Sequence, residues 1–182
     1  MKIVQFVMVI LLLLSSSAFA KTASEMATEY FGTLQQKDYG RAATFFDPAA
    51  LGEFRQIMSF VNEISDEGQQ QFYTIFFGPE ANRQSTGKLS DADFFAAFLR
   101  ATMAQAEKLG GVNFEKMEIL GEVMEGKDVA HVVTRNKVSV GEVEVEAMEV
   151  ISFKKIGSDW KALLSGKIKG MANQLKATLR RH

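Results

Sequence analysis

The sequence predicts an α+β fold: N-terminal helices packed on a curved antiparallel sheet, a four-strand meander, followed by a C-terminal helix. Two observations predict it. The stretch from Phe114 to Ser165 reads as four consecutive strands, whereas the other ordered segments have helical spacing. Turn signals separate the strands at Gly126-Lys127-Asp128, at Gly141 and at Gly157-Ser158-Asp159.

Met1 to Ala20 has a Lys near its start, an apolar run from Phe6 to Leu14, and then Ser-Ser-Ser-Ala-Phe-Ala. This is the pattern of a cleavable signal peptide, with Ala18 and Ala20 as the small residues before a cut after Ala20. The apolar run is short for a membrane span of about 20 residues, so no integral span is expected after cleavage. The expected location is therefore periplasmic or secreted. The chain has no Cys, hence no lipid attachment through a thiol and no disulfide. Without Lys2 the balance is 20 basic against 22 acidic residues. Residues 21–182 suit a single domain, and their near-neutral charge argues against a general nucleic-acid binder.

Thr22-x-x-Glu25 is a capping-box pattern. Ala23, Met26, Ala27, Tyr30, Phe31 and Leu34 follow at helical spacing, up to a break at Lys37-Asp38-Tyr39-Gly40. A short helix then holds Ala42, Ala43, Phe45 and Phe46. Asp47-Pro48 starts another, with Asp as the cap and Pro in the first turn. Asp66 to Phe77 is helical and ends before Gly78-Pro79. The polar stretch from Glu80 to Lys88 reads as a loop. Ser90-x-x-Asp93 opens a helix to about Leu109, with Phe94, Phe95, Phe98, Leu99 and Met103 on its buried side, and Gly110-Gly111 ends it.

Alternation places strand side chains on opposite faces. If Glu125 pairs with Asp128, then Leu120 faces Val133, Glu122 faces His131 and Glu118 faces Arg135. If the next hairpin is centred between Val140 and Gly141, Arg135 also neighbours Glu146, and Lys137 neighbours Glu144. One face collects Met117, Ile119, Val123, Ala130, Val132, Val138, Val143, Val145, Ala147 and Ile151, and is the expected core face. The opposite charges facing one another on the other side support this register. The Glu/Val alternation blurs at Ala147-Met148, where a bulge would fit. Lys167 to Arg181 then reads as a final helix.

Two local phrases carry a family resemblance. Glu29 to Leu51 reads Glu-Tyr-Phe-Gly-Thr-Leu-Gln-Gln-Lys-Asp-Tyr-Gly-Arg-Ala-Ala-Thr-Phe-Phe-Asp-Pro-Ala-Ala-Leu: a helix, a Lys-Asp-Tyr break, a short helix and an Asp-Pro-x-x-Leu step. Ile119-Leu-Gly-Glu-Val is followed by Val129-Ala-His-Val-Val-Thr-Arg135. Together with the order of elements, these resemble exported bacterial members of the nuclear transport factor 2-like (cystatin-like) superfamily of α+β cones. The resemblance implies helices wrapped on a cone-shaped sheet. That superfamily contains isomerases, dehydratases, ligand carriers and protein-binding modules, so the resemblance implies a fold and no single function.

Glu149 is the first candidate for chemistry. In this register it lies on the core face near Val132, Ala147, Ile151 and Leu164, where an apolar setting would disfavour its charged form and suit it to proton transfer. A bulge after Ala147 would instead turn it outward as an ordinary strand residue. His131 and Arg135 share the other face, as an acid/base group and anion clamp, or as members of cross-strand pairs with Glu122, Glu118 and Glu146. Of the two His, the other is terminal His182, so no metal site is expected. No cofactor motif is present.

The 15 Phe are concentrated in the helices. They would line an apolar cavity or simply fill a core. In the cavity reading, Tyr30, Phe31, Phe94, Phe95, Phe98 and Glu149 are the ligand-contacting residues. The basic final helix suits an acidic partner or anionic lipid, or else the negative end of its own dipole. The leading expectation is a non-enzymatic exported binding protein for an apolar or amphipathic small molecule, a lipid included, or for a partner protein. The alternatives are a small-molecule isomerase or dehydratase using Glu149 or His131, and a structural or regulatory envelope component.

Overall fold

Side-chain caps at Thr22 and Asp47 begin helices where the sequence places them. The protein is described here by a computed structural model, which covers residues 21–108 and 110–179; the expected signal segment and the last residues of the basic helix lie outside that range. Thr22 Oγ1 accepts from the Glu25 amide at 3.1 Å, and Glu25 Oε2 accepts from the Thr22 amide at 2.7 Å, which opens α1 (Ala23–Gln35). Asp38 caps α2 (Tyr39–Thr44), and Asp47 Oδ1, accepting from the Ala49 amide, caps α3 (Pro48–Met58). A 3-10 turn over Ser59–Glu63 leads to α4 (Asp66–Phe77), capped by Ser65.

The polar stretch expected as a loop contains a short helix, α5 (Arg83–Gly87). Asn82 Oδ1 accepts from the amides of Gln84 and Ser85 at 2.9 and 3.0 Å, and the Asn82 amide in turn donates to Ser85 Oγ. A helix held by its cap and buried mainly through Thr86 has no apolar period to read. α6 (Asp91–Lys108) follows, with Asp93 bonded back to Ser90, and ends at Gly110-Gly111.

α6 packs on α2, α3 and α4 far more than on the sheet. Its rings meet other rings. Phe54 of α3 lies 6.3, 5.0 and 5.0 Å from Phe94, Phe95 and Phe98, and Phe98 stacks on Phe76 of α4 at 5.1 Å. The contacts made by Phe54 are edge-to-face, the arrangement that aromatic quadrupoles favour.

The sheet is an antiparallel meander in the order β1 (Val112–Glu125), β2 (Val129–Val140), β3 (Val143–Ile156), β4 (Asp159–Ala162). Its register agrees with the expected one over Lys116 to Ile119, where Glu118 lies opposite Arg135. It departs at two irregularities in β1, between Phe114 and Lys116 and between Ile119 and Gly121. Beyond Leu120 the faces exchange, as a one-residue slip requires. Glu122 now lies opposite Val132 and points to the helices, where its Oε2 accepts from Ser24 Oγ at 2.6 Å and the Ser24 amide at 3.2 Å. Val123, expected in the core, lies opposite His131 on the outer face and is 60% exposed.

The second hairpin is displaced by two residues from expectation. Arg135 lies opposite Met148 and Lys137 opposite Glu146. A two-residue shift preserves faces, so Arg135 Nε still reaches Glu146 at 3.2 Å and Lys137 Nζ reaches Glu144 at 2.9 Å, now diagonally. The register of β3 runs without a bulge through Ala147-Met148.

α1 crosses β1 and β2, which buries Ala130, Val132, Thr134 and Asn136, the alternate residues of one face of β2. β4 pairs with Phe153–Ile156 of β3 and, through Ala162, bridges Phe46. The α2–α3 link is tied to it by Ala162 N–H donating to Phe45 O at 2.7 Å and Asp47 N–H donating to Ala162 O at 2.9 Å. α7 (Gly166–Leu179) packs on α3, buries Ala172, and holds Lys169 against Glu53 at 2.7 Å.

Candidate functional site

The buried face of β2 is unusual in carrying polar residues. Ala130 and Val132 are followed at the same parity by Thr134 and Asn136. A polar side chain in such a place must find a partner or lose its hydrogen bonds to water. Asn136 finds half of what it needs. Its Nδ2 donates to Glu149 Oε2 at 3.2 Å, while its Oδ1 is buried and has no hydrogen-bond partner in the protein.

Glu149 lies opposite Thr134 on the helix-facing side, because β3 has no bulge to turn it out. It is not surrounded by apolar groups alone. Lys167, from the first turn of α7, forms an ion pair with Oε1 while Asn136 occupies Oε2. Both oxygens are thus engaged, and the carboxylate, whose side chain is 36% exposed, marks the edge of the covered region.

Tyr30 approaches from α1. Its ring lies 6.0 Å from Phe45 and 5.6 Å edge-on to Phe46. Burial, with a smaller contribution from the Glu149 charge, pushes its phenol up to about 12 from the ordinary 10.0. The raised value means that the folded state favours the neutral phenol. Stability from this source is complete below pH 10 and is lost as pH rises toward about 12. In an alkaline titration of tyrosinate absorbance, burial should delay two of the three Tyr in the folded chain, Tyr39 and, latest of all, Tyr30. Tyr30→Phe should remove the latest component; if that component survives the substitution, it belongs to another Tyr.

His131 lies on the outer face. Its Nδ1 is 2.9 Å from Ser152 Oγ and its Nε2 is 2.8 Å from Glu125 Oε2, so its carboxylate partner is Glu125 where Glu122 was expected. The slip at Leu120 is the cause, since it turned Glu122 to the other face. Arg135 shares this face with Glu118 and Glu146. His131 and Glu149 therefore lie on opposite sides of the sheet and cannot act on one substrate.

Phe31 packs edge-on to Phe114 at 5.8 Å. Phe95 reaches Tyr30 only through Phe46, from which it lies 4.8 Å. Of the cavities of about 80, 280 and 590 Å3 among the described residues, none has Tyr30 or Glu149 in its wall. No group of three metal-binding side chains occurs among the described residues, and none of their helices is long and apolar enough to cross a membrane.

Beyond the Glu149 cluster, toward the β2–β3 turn, the same face is apolar and uncovered. Val140, Val143 and Val145 are 41%, 64% and 45% exposed. Val145 lies opposite Val138, and Ala147 opposite Asn136, so this valine shelf runs directly into the polar cluster. Asn136 and Lys167 were not singled out in the sequence. The polar interruption of β2's Val-rich parity was the signal for Asn136; for Lys167 there was none, because its contact joins distant segments.

No family model and no curated protein matches this chain. Among solved structures, the chain is similar to a Campylobacter jejuni protein assigned by its name to nuclear transport factor 2-like transpeptidases. The two share 13% sequence identity at a TM-score of 0.41, over 80% of this chain and 100% of that one. A likeness at that level bears on neither activity nor substrate.

Proposed function

We propose that the chain is an exported, non-enzymatic binding protein for an amphipathic small molecule, taken at the uncovered end of the helix-facing sheet surface. The observation that carries this reading is the unpartnered Asn136 Oδ1 at the inner end of an exposed valine shelf. An apolar chain or ring laid on Val140, Val143 and Val145 would remove those side chains from water, at about 25 cal/mol per Å2. A hydroxyl or amine head reaching inward would satisfy the amide oxygen, whose unmet bond otherwise costs about 1–3 kcal/mol. Tyr30 and Glu149 would stand beside that head. Phe31, Phe94, Phe95 and Phe98 would act from behind, by holding α1 and the helical layer in place.

The engagement of both Glu149 oxygens favours this over proton transfer, because a general base needs a free oxygen directed at substrate. The export component rests on the leader pattern of Met1 to Ala20. One experiment tests both. Native mass spectrometry of protein purified from its own cell envelope should show a chain beginning at Lys21 with a bound small molecule. An intact Met1 overturns export, and a bare chain counts against the ligand. Val145→Asp should also weaken binding of an apolar reporter dye by at least about tenfold, the worth of one buried Val side chain. Dye binding unchanged by Val145→Asp would move the site away from the shelf.

A further inference from the structure

The cavity of about 280 Å3 in the helical layer belongs to a different part of the molecule. It lies between α3, the 3-10 turn, α4, α5 and the start of α6. Met58, Val61, Phe72 and Phe94 give it an apolar lining. Polar residues and two arginines, Arg55 and Arg83, share the wall with them.

Arg55 is held by its Nη2 bonds and an ion pair, although its Nε is buried without a hydrogen-bond partner. Its Nε lies 2.5 Å from Asp91 Oδ1, its Nη2 donates to the carbonyls of Leu89 and Ser90 at 2.6 and 2.9 Å, and its guanidinium sits 4.6 Å above the Phe94 ring. Its charge is therefore matched by Asp91, and its role is to shape the wall. Arg83 differs. It is exposed and has no carboxylate within 4.0 Å among the described residues. An unmatched guanidinium at the rim of an apolar hollow is complementary to a molecule with an apolar body and a planar anionic end.

We propose that this cavity binds a small apolar carboxylate, with Arg83 taking the carboxylate and the apolar body lying against Met58, Val61, Phe72 and Phe94. The planar fork of a guanidinium matches the two oxygens of a carboxylate. The volume sets the size: a cavity of about 150 Å3 holds benzene, and drug-sized pockets begin near about 300 Å3, so one ring with a short chain fits.

The test uses residues 21–182, titrated by calorimetry with 3-phenylpropionate and with its uncharged counterpart 3-phenylpropanol. The acid should bind saturably and the alcohol about tenfold more weakly, as expected for loss of a charge-assisted bond. Arg83→Gln should lower affinity for the acid by about the same factor and leave the alcohol unchanged. Gly87→Leu should abolish both, since Gly87 lines the cavity and an added Cβ there meets nothing within 4 Å, so the variant can fold while its side chain fills the space. Val123→Ala, on the outer face of the sheet, should have no effect. Absence of saturable binding, equal affinity for acid and alcohol, or insensitivity to both Arg83→Gln and Gly87→Leu would overturn the proposal.

Discussion

Replacing Phe54 with alanine is expected to cost about 3–5 kcal/mol of folding stability. Phe54 is 0% exposed and stands at the centre of the helical layer, with Phe94, Phe95 and Phe98 around it. Truncation removes the transfer free energy of one ring and strands three others beside a void. Those rings cannot close it, because each is held by further partners: Phe95 by Phe46, Phe98 by Phe76 and Phe94 by Phe77. Domains of this kind have about 5–15 kcal/mol in all, so the variant should sit near its unfolding midpoint at much lower denaturant. Guanidinium titration followed by circular dichroism reads the loss. A loss below about 0.5 kcal/mol, the range of a surface change, would mean that the rings are loosely packed and can rearrange.

Phe153→Ala is expected to cost a similar amount, about 3–5 kcal/mol, from the opposite layer. Phe153 is 0% exposed on β3, between Ala130 on β2 and Ala162 on β4. Two alanines have no side-chain length with which to fill the gap, and the strand ladder holds the backbones apart. The outer-face control is Val123→Ala. With the slip at Leu120, Val123 is exposed and its loss should fall within about 0.5 kcal/mol. Without that slip it would lie on the core face, and the same substitution would cost about 1 kcal/mol or more. The pair of measurements therefore tests the register as well as the core.

Much of the fold was legible because its signals are local. Capping requires only a side chain within three residues of an amide, so Thr22, Asp47 and Ser90 marked helix starts directly. Strand turns were legible at Gly126, Gly141 and Gly157, all with positive φ. Gly141 does more than turn the chain. Its N–H donates to Gly111 O at 3.1 Å, and a Cβ on Gly110 would lie 3.1 Å from its Cα, so the hairpin tip and the end of α6 meet through three glycines. Each glycine could be assigned to a turn from sequence; their contact could not.

The candidate site was legible in part. Tyr30 and Glu149 were named from helical spacing and strand parity, and both stand at the cluster. The parity argument survived a two-residue error in the second hairpin because an even shift exchanges no faces. It failed for Val123 and Glu122, where one extra residue at Leu120 reversed it. A bulge leaves no fixed mark in composition, and the ambiguous stretch at Ala147-Met148 proved regular while the plain one at Leu120 did not.

By itself the sequence determined the α+β class, the order of helices before meander, and the caps and turns, because each depends on contacts a few residues apart. The tertiary structure alone decided that Lys167 meets Glu149, that Asn136 is left half satisfied, and that Arg55 is fixed while Arg83 is unmatched. The physical reason is the same in each case. These side chains act through partners 13 to 36 residues away, except for Arg83, whose lack of one is equally a matter of what the fold brings near.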